Sequence, residues 1–268
     1  MGNFSMGIKY IIAGGDSFTL GSELAADELI ENYTSNIGRN EELWAEHNHI
    51  FHSMPLEKLR SYRDKCKSKS WANKFANKIS TPISNVAVGG SSNSEVVFHL
   101  TNEYDKQKDL VNPEDILLLV MVTSPYRLGI PDKTNIRKYL PIFPHSEIPS
   151  FPNQKIQVSQ EEFYMEKYTE KDFLWNSFAH LIALKYYVES LGSKILFLDS
   201  CLWSSFGDNS FDNLLDIKYN LSEYSDGKSL SGGHFLESAH EALANKLFED
   251  ININSHSSCK EGVINGLQ

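Results

Sequence analysis

Cysteine is scarce in this chain. The three that occur, Cys66, Cys201 and Cys259, are an odd number scattered over 268 residues, a set that fits neither a disulfide framework nor a zinc site. No lysine or arginine block is dense enough to track a phosphate backbone, and the formal net charge is -10. Nucleic acid and anionic membrane surfaces are therefore not expected as partners. No apolar run approaches the length of a membrane span, and no internal repeat is visible. The first strand begins close to Met1, so a removable signal sequence is not expected, and Met6 stands where a myristoylation pattern needs Ser or Thr. The expected location is the cytoplasm, or release without a signal peptide, as on a virion.

What is present suits one sizeable core: 41% of the residues are hydrophobic. Lys9 to Ala13 is a short apolar run bounded by glycine, as for a buried central strand. The pattern then predicts a helix over Leu20 to Tyr33, a charged loop through Ser53, and helices near Leu56 to Cys66 and Ser70 to Ile79. Asn85 to Val88 reads as a second strand, Ser94 to Tyr104 as a crossover helix, and Asp115 to Val122 as a third strand buried on both faces. From Pro125 to Gln157 the pattern breaks, with five prolines between Pro131 and Pro152, which predicts a long surface excursion. Leu174, Phe178, Leu181, Leu184 and Val188 recur at helical spacing, Gly192 stops that helix, and Lys194 to Leu198 is a fourth strand. A last helix carries Phe235, Ala239, Ala242, Leu243 and Leu247 inward. The expected organisation is one domain over residues 1–254, with 125–157 as a loop insertion able to act as a lid and 255–268 as a flexible tail.

Strands alternating with helices imply a parallel sheet of four to five strands, helices on both faces, in a three-layer α/β/α, flavodoxin-like arrangement. Loops at the carboxyl ends of such strands form the ligand crevice. Ser17, Gly90, Thr123 and Asp199 all fall there. A serine hydroxyl becomes nucleophilic when a base takes its proton, and the resulting oxyanion needs fixed donors. Ser17 follows a Gly14-Gly15 turn at the opening of a predicted helix, where its backbone N–H can serve as one donor. Gly90 lacks a side chain, so its N–H can approach a substrate oxygen. His234, in the segment SGGHFLESAH just before the last helix, is the candidate base.

These residues resemble those of the GDSL, or SGNH, hydrolase family of esterases and lipases. The block GGDSF is similar to the family's first block and makes Ser17 the nucleophile and an oxyanion donor. NVAVGGSSN is similar to the second and makes Gly90 the oxyanion glycine. HFLESAH is similar to the last, with His234 as base. SWANKFANKI, with Trp71 and Phe75, resembles the packing helix ahead of the second block. Two positions depart from the pattern. The third-block asparagine is replaced within Val122-Thr123-Ser124-Pro125-Tyr126-Arg127, so a Thr123 or Ser124 hydroxyl is the candidate donor. The aspartate three residues before the histidine is replaced by Ser231, which leaves Asp226 or Asp199 to orient His234, or a Ser-His dyad. Asp16, Asn93, Tyr126 and Arg127 are the candidates for substrate binding.

The resemblance implies a hydrolase of carboxylic esters, acting without cofactor or metal on a small-molecule or carbohydrate ester, with O-acetyl groups on carbohydrate as the leading substrate. The alternative is an SGNH-like module that binds carbohydrate or serves a virion or surface assembly without catalysis. His240 is expected to be structural. His47, His49 and His52 read as a solvated loop and not a metal cluster. Tyr126, Tyr139, Phe143 and Phe151 either line a substrate groove or pin the excursion down.

Overall fold

The computed structural model describes residues 7–125, 127–132, 135–142, 170–200 and 214–257. Its main sheet has five parallel strands in the order β2-β1-β3-β6-β7: β1 is Tyr10–Gly14, β2 Ile83–Asn85, β3 Ile116–Val122, β6 Lys194–Asp199 and β7 Tyr219–Asn220. Central position explains composition. β3 pairs with β1 and β6, all seven of its residues are buried, and none is polar, as a strand covered on both faces requires.

The period-two alternation of the strands sorts them into two cores. Ile11, Ala13, Leu117, Leu119, Met121 and Leu196 face one side, against α4 (Trp71–Lys78) and the last helix, α7 (Glu237–Ser257). Ile12, Leu118, Val120, Val122 and Phe197 face the other, against α5 (Asn93–Gln107) and α6 (Glu170–Ser190). The three-layer α/β/α architecture follows. Each fully buried Leu or Ile contributes about 1.5–3 kcal/mol, so a truncation such as Leu118→Ala costs about 2–5 kcal/mol with its cavity.

Where the local sequence pattern was strongest, expectation and structure agree. α3 spans Leu56–Lys69, and α5, α6 and β6 cover the predicted segments. Four expectations are corrected. The helix read over Leu20 to Tyr33 ends at once: α1 is Ser17–Leu20, Gly21 caps it in the left-handed region, and only short 3-10 turns at Ala26–Glu28 and Tyr33–Ser35 follow. A Cβ on Gly21 would lie 2.7 Å from the Cys66 carbonyl, and Glu23 itself has φ 70, so this stretch follows tertiary contacts against its own propensity. The charged loop through Ser53 is instead α2, Glu41–Ser53, capped by the Asn40 side chain on the Leu43 amide and burying His47. The second strand sits earlier than read, although the amides of Val86 and Val88 still donate to Ala13 and Gly15. The proline-rich excursion contains an antiparallel hairpin, β4 (Leu128–Asp132) with β5 (Asn135–Ile142). Residues 143–169 lie outside the described residues, as do Phe143 and Phe151 and the tail beyond Ser257; the helix itself runs three residues past Asn254.

Among the described residues no helix is long and apolar enough to cross a membrane.

Candidate active site

β1 ends in a turn that leaves no room for side chains: a Cβ on Gly14 would lie 2.6 Å from Leu100, and one on Gly15 would overlap the Thr19 hydroxyl. Asp16 caps the short helix that follows, its Oδ1 accepting from the Phe18 amide at 3.0 Å. Ser17 is thereby set at the carboxyl edge of β1. It lines a cavity of about 520 Å³ together with Gly89, Gly90, Arg127, Gly232, Gly233 and His234. A Cβ on Gly89 would stand 3.9 Å from that of Ser17, and Gly90 takes φ 80, which favours glycine.

His234 approaches from the loop before α7. Its carbonyl accepts from the Leu230 amide at 2.7 Å, and Ser229 bridges to Phe235. Its ring lies 5.3 Å from that of Phe18. Nδ1 is held by Glu23 Oε1 at 2.5 Å. Glu23 is only 2% exposed, and its other oxygen accepts from the Tyr33 hydroxyl at 2.9 Å and the Gly232 amide at 3.0 Å. Burial raises the Glu23 pKa, but the bonds and charge of His234, with Gly232 and Tyr33, outweigh it, so the carboxyl titrates below its ordinary value. Tyr33, buried beside that carboxylate, is pushed well above the ordinary tyrosine value. Gly232 is glycine for a reason that spacing alone cannot show. Any Cβ there would overlap Glu23 and the Trp44 ring.

The expected acid is thus corrected: Glu23 holds His234, whereas Asp226 lies exposed in a turn and Asp199, at the end of β6, accepts from Asn220 at 3.3 Å. Thr123 is corrected as well. Its hydroxyl is fully buried, donates to Asp16 Oδ2 at 3.1 Å and accepts from Arg127 Nη1 at 2.7 Å, so it is committed to these two partners. Ser124 does not line the cavity either; its carbonyl accepts from the Arg127 amide at 3.2 Å. Asp16 and Asn93, expected to touch substrate, are both fully buried. Asp16 pairs with Arg127 at 2.6 Å. Asn93 clamps the end of β3 through two bonds with the Thr123 backbone, at 2.9 and 3.0 Å. Of the substrate-binding candidates Arg127 alone lines the cavity, while Tyr126 lies outside the described residues.

His240 has the structural place expected of it, through a different contact. Its Nδ1 accepts from the Trp71 amide at the start of α4, and complete burial lowers its pKa to about 3, which keeps it a neutral acceptor. His47, His49 and His52 lie on one helix but diverge: His47 is buried and bonded through Nε2 to the Tyr62 hydroxyl at 2.8 Å, His49 is exposed, and His52 reaches the cavity rim.

No family model matches the sequence, and no curated protein sequence does. Among solved structures the chain is similar to TesA, at 9% identity and a TM-score of 0.46 over 91% of this chain and 99% of the other. A carbohydrate esterase is similar at 9% identity and a TM-score of 0.47, covering 91% and 68% of the two chains. The acetyl xylan esterase Est2A from the rumen bacterium Butyrivibrio proteoclasticus is similar at 11% and 0.46, covering 91% and 64%. Identities this low and TM-scores under 0.5 leave the chemistry of this site to its own geometry.

Proposed function

We propose that the chain is a serine hydrolase of carboxylic esters with the relay Ser17, His234 and Glu23. One observation carries the reading: a buried glutamate fixes His234 through Nδ1, and Ser17 lines the same cavity as that imidazole. With Nδ1 committed, Nε2 is the nitrogen that takes the proton of Ser17 as its oxygen attacks the ester carbonyl. Glu23 stabilises the imidazolium. The tetrahedral oxyanion is received by the amides of Ser17 and Gly90, while Arg127, ion-paired to Asp16, lines the same cavity. Collapse expels the alcohol, which takes the proton from His234. Water, deprotonated by the same imidazole, then releases the acid from Ser17. Small acyl groups on carbohydrate remain the first substrates to assay, a choice supported by the resemblance of the motifs. The alternative of a non-catalytic module rests on the missing third-block asparagine and on the serine at 231 in place of the aspartate; Glu23, bonded to His234 Nδ1, answers the second of these.

A fluorophosphonate probe tests the reading. Wild-type protein should gain one probe mass on Ser17, and Ser17→Ala should gain none while keeping its thermal midpoint. An unlabelled wild type, or a labelled Ser17→Ala, would remove Ser17 from the mechanism.

A further inference from the structure

The cavity continues past Ser17 and His234 to the side of α2, where Trp44 and Asn48, four positions apart, share the helix face that lines it. That face is tied to the loop that carries His234. The Gly38 amide donates to the Ser229 carbonyl at 2.7 Å and the Asn40 amide to the Ser231 carbonyl at 3.2 Å. One turn further on, the pyrrole edge of Trp44 lies so close to Gly232 that a Cβ there would overlap it. Trp44 therefore stands on the His234 side of the nucleophile. In the proposed reaction this is the side on which the alcohol leaves, since His234 must give it a proton.

Both side chains are half-buried, and neither the indole N–H of Trp44 nor the side-chain amide of Asn48 has a hydrogen-bond partner among the described residues. Unlike the indole N–H of Trp71, unpartnered deep in the core, these groups keep accessible surface. Tryptophan offers apolar surface with one donor, and asparagine two donors with an acceptor. A hydroxyl both donates and accepts, so the pair suits several hydroxyls carried on a C–H skeleton. The charged side chains of the cavity are already engaged: Glu23 by His234, Arg127 by Asp16, and Arg63 over the face of Phe51 at 5.6 Å. Size agrees with a neutral ring. A volume of about 520 Å³ is several times what an acetyl group fills, at about 30 Å³ per water-sized group.

We infer that Trp44 and Asn48 form a subsite for the alcohol part of the ester, and that this alcohol is a neutral, polyhydroxylated ring, a sugar. The inference rests on the ester-hydrolase reading and adds to it which residues select the leaving group.

Binding separates the two. Ser17→Ala protein labelled with nitrogen-15 is titrated while the Trp44 indole N–H resonance is followed, assigned by its loss in Trp44→Phe. At least one of the mono-O-acetyl methyl glycosides of glucose, galactose, xylose and N-acetylglucosamine should shift it. That glycoside should bind at least about ten-fold tighter than cyclohexyl acetate, which has a ring and the ester but no hydroxyls. Asn48→Leu should cut the preference by about three- to ten-fold. In turnover, Trp44→Phe should lower kcat/KM for the sugar ester relative to cyclohexyl acetate. The ratio between acetyl and butyryl esters of the same sugar should stay put, because the indole touches the alcohol and not the acyl group. No shift with any glycoside, equal or tighter binding of cyclohexyl acetate, or tighter binding of the matching acetylated uronate would overturn the assignment. So would a preference undiminished in either variant, or an acyl ratio that moves with the alcohol ratio. Sugar binding in a chain that the fluorophosphonate leaves unlabelled would keep the subsite and remove the hydrolase, and labelling without sugar preference would do the reverse.

Discussion

Two carboxylates flank Ser17, and both are all but removed from water: Asp16 at 0% exposure and Glu23 at 2%. Their surroundings differ in kind. Asp16 meets the Phe18 amide, the Thr123 hydroxyl and the Arg127 guanidinium, partners whose charge does not change in the working pH range. Glu23 meets a tyrosine hydroxyl, a backbone amide and an imidazole, and the imidazole must gain and lose a proton in every turnover of the proposed reaction. A buried carboxylate needs complete hydrogen bonding in either case. What differs is what the pairing is coupled to. Asp16 anchors the turn that presents Ser17, while Glu23 holds the His234 imidazole, the base of the proposed reaction.

The largest effect that tests this division is that of Glu23→Gln. Losing the carboxylate should lower kcat by about 10²–10⁴ with little change in KM, because the imidazolium forms only on the way to the transition state. Asp226→Asn, as the control, should stay within about two-fold on the same reasoning. Equal losses in both would return the orienting role to an aspartate. The same variant carries a stability signature. Because the Glu23 pKa is lowered from its ordinary 4.5, its contribution is present above about 4.5 and is lost as pH falls through the folded value. Denaturant titrations of Glu23→Gln should therefore show a shallower loss of stability on acidification below that point than wild type.

Asp16→Asn should invert the pattern. It leaves Arg127 without its carboxylate in a partly buried position, a break that costs about 3–5 kcal/mol, so its unfolding midpoint should drop further than that of Glu23→Gln while its kcat drops less. If the two variants lose stability and activity in the same proportion, the distinction between anchor and orienter fails. The smallest effect belongs to Thr123→Val. Removing the buried hydroxyl and its two hydrogen bonds should cost about 1–3 kcal/mol and leave kcat within a few-fold. A hundred-fold fall in kcat at unchanged KM would instead restore Thr123 to the oxyanion hole.

The parts of this molecule that could be read from sequence are those whose cause is local. β3 is seven consecutive apolar residues, and nothing but a doubly covered strand suits it. The spacing of Phe178, Leu181, Leu184 and Val188 defines the buried stripe of α6. Ser17 and Gly90 were visible because glycine turns follow strands at fixed distance, and His234 because its motif sits against a helix start. Glu23 was hidden inside a stretch whose composition favours helix. The chain there breaks to left-handed conformations at Gly21 and Glu23 under contacts from α3 and the loop before α7. The single clue in the sequence was negative: a serine at 231 beside two glycines, one of which has no room for any side chain because the glutamate lies over it.

By itself, then, the sequence determined the layered architecture and the succession of its main strands along the chain, and it singled out Ser17 and His234 as the candidate nucleophile and base, since hydrophobic period and turn chemistry act between neighbours in the chain. Tertiary structure alone decided which carboxylate holds His234 and which hydroxyl is tied to Asp16. Glu23 and His234 are 211 positions apart and Asp16 and Arg127 are 111 apart. Such pairs form only when the sheet brings distant loops to one edge, and burial then makes each bond obligatory: in the absence of water, a carboxylate is held by whichever donors the fold delivers.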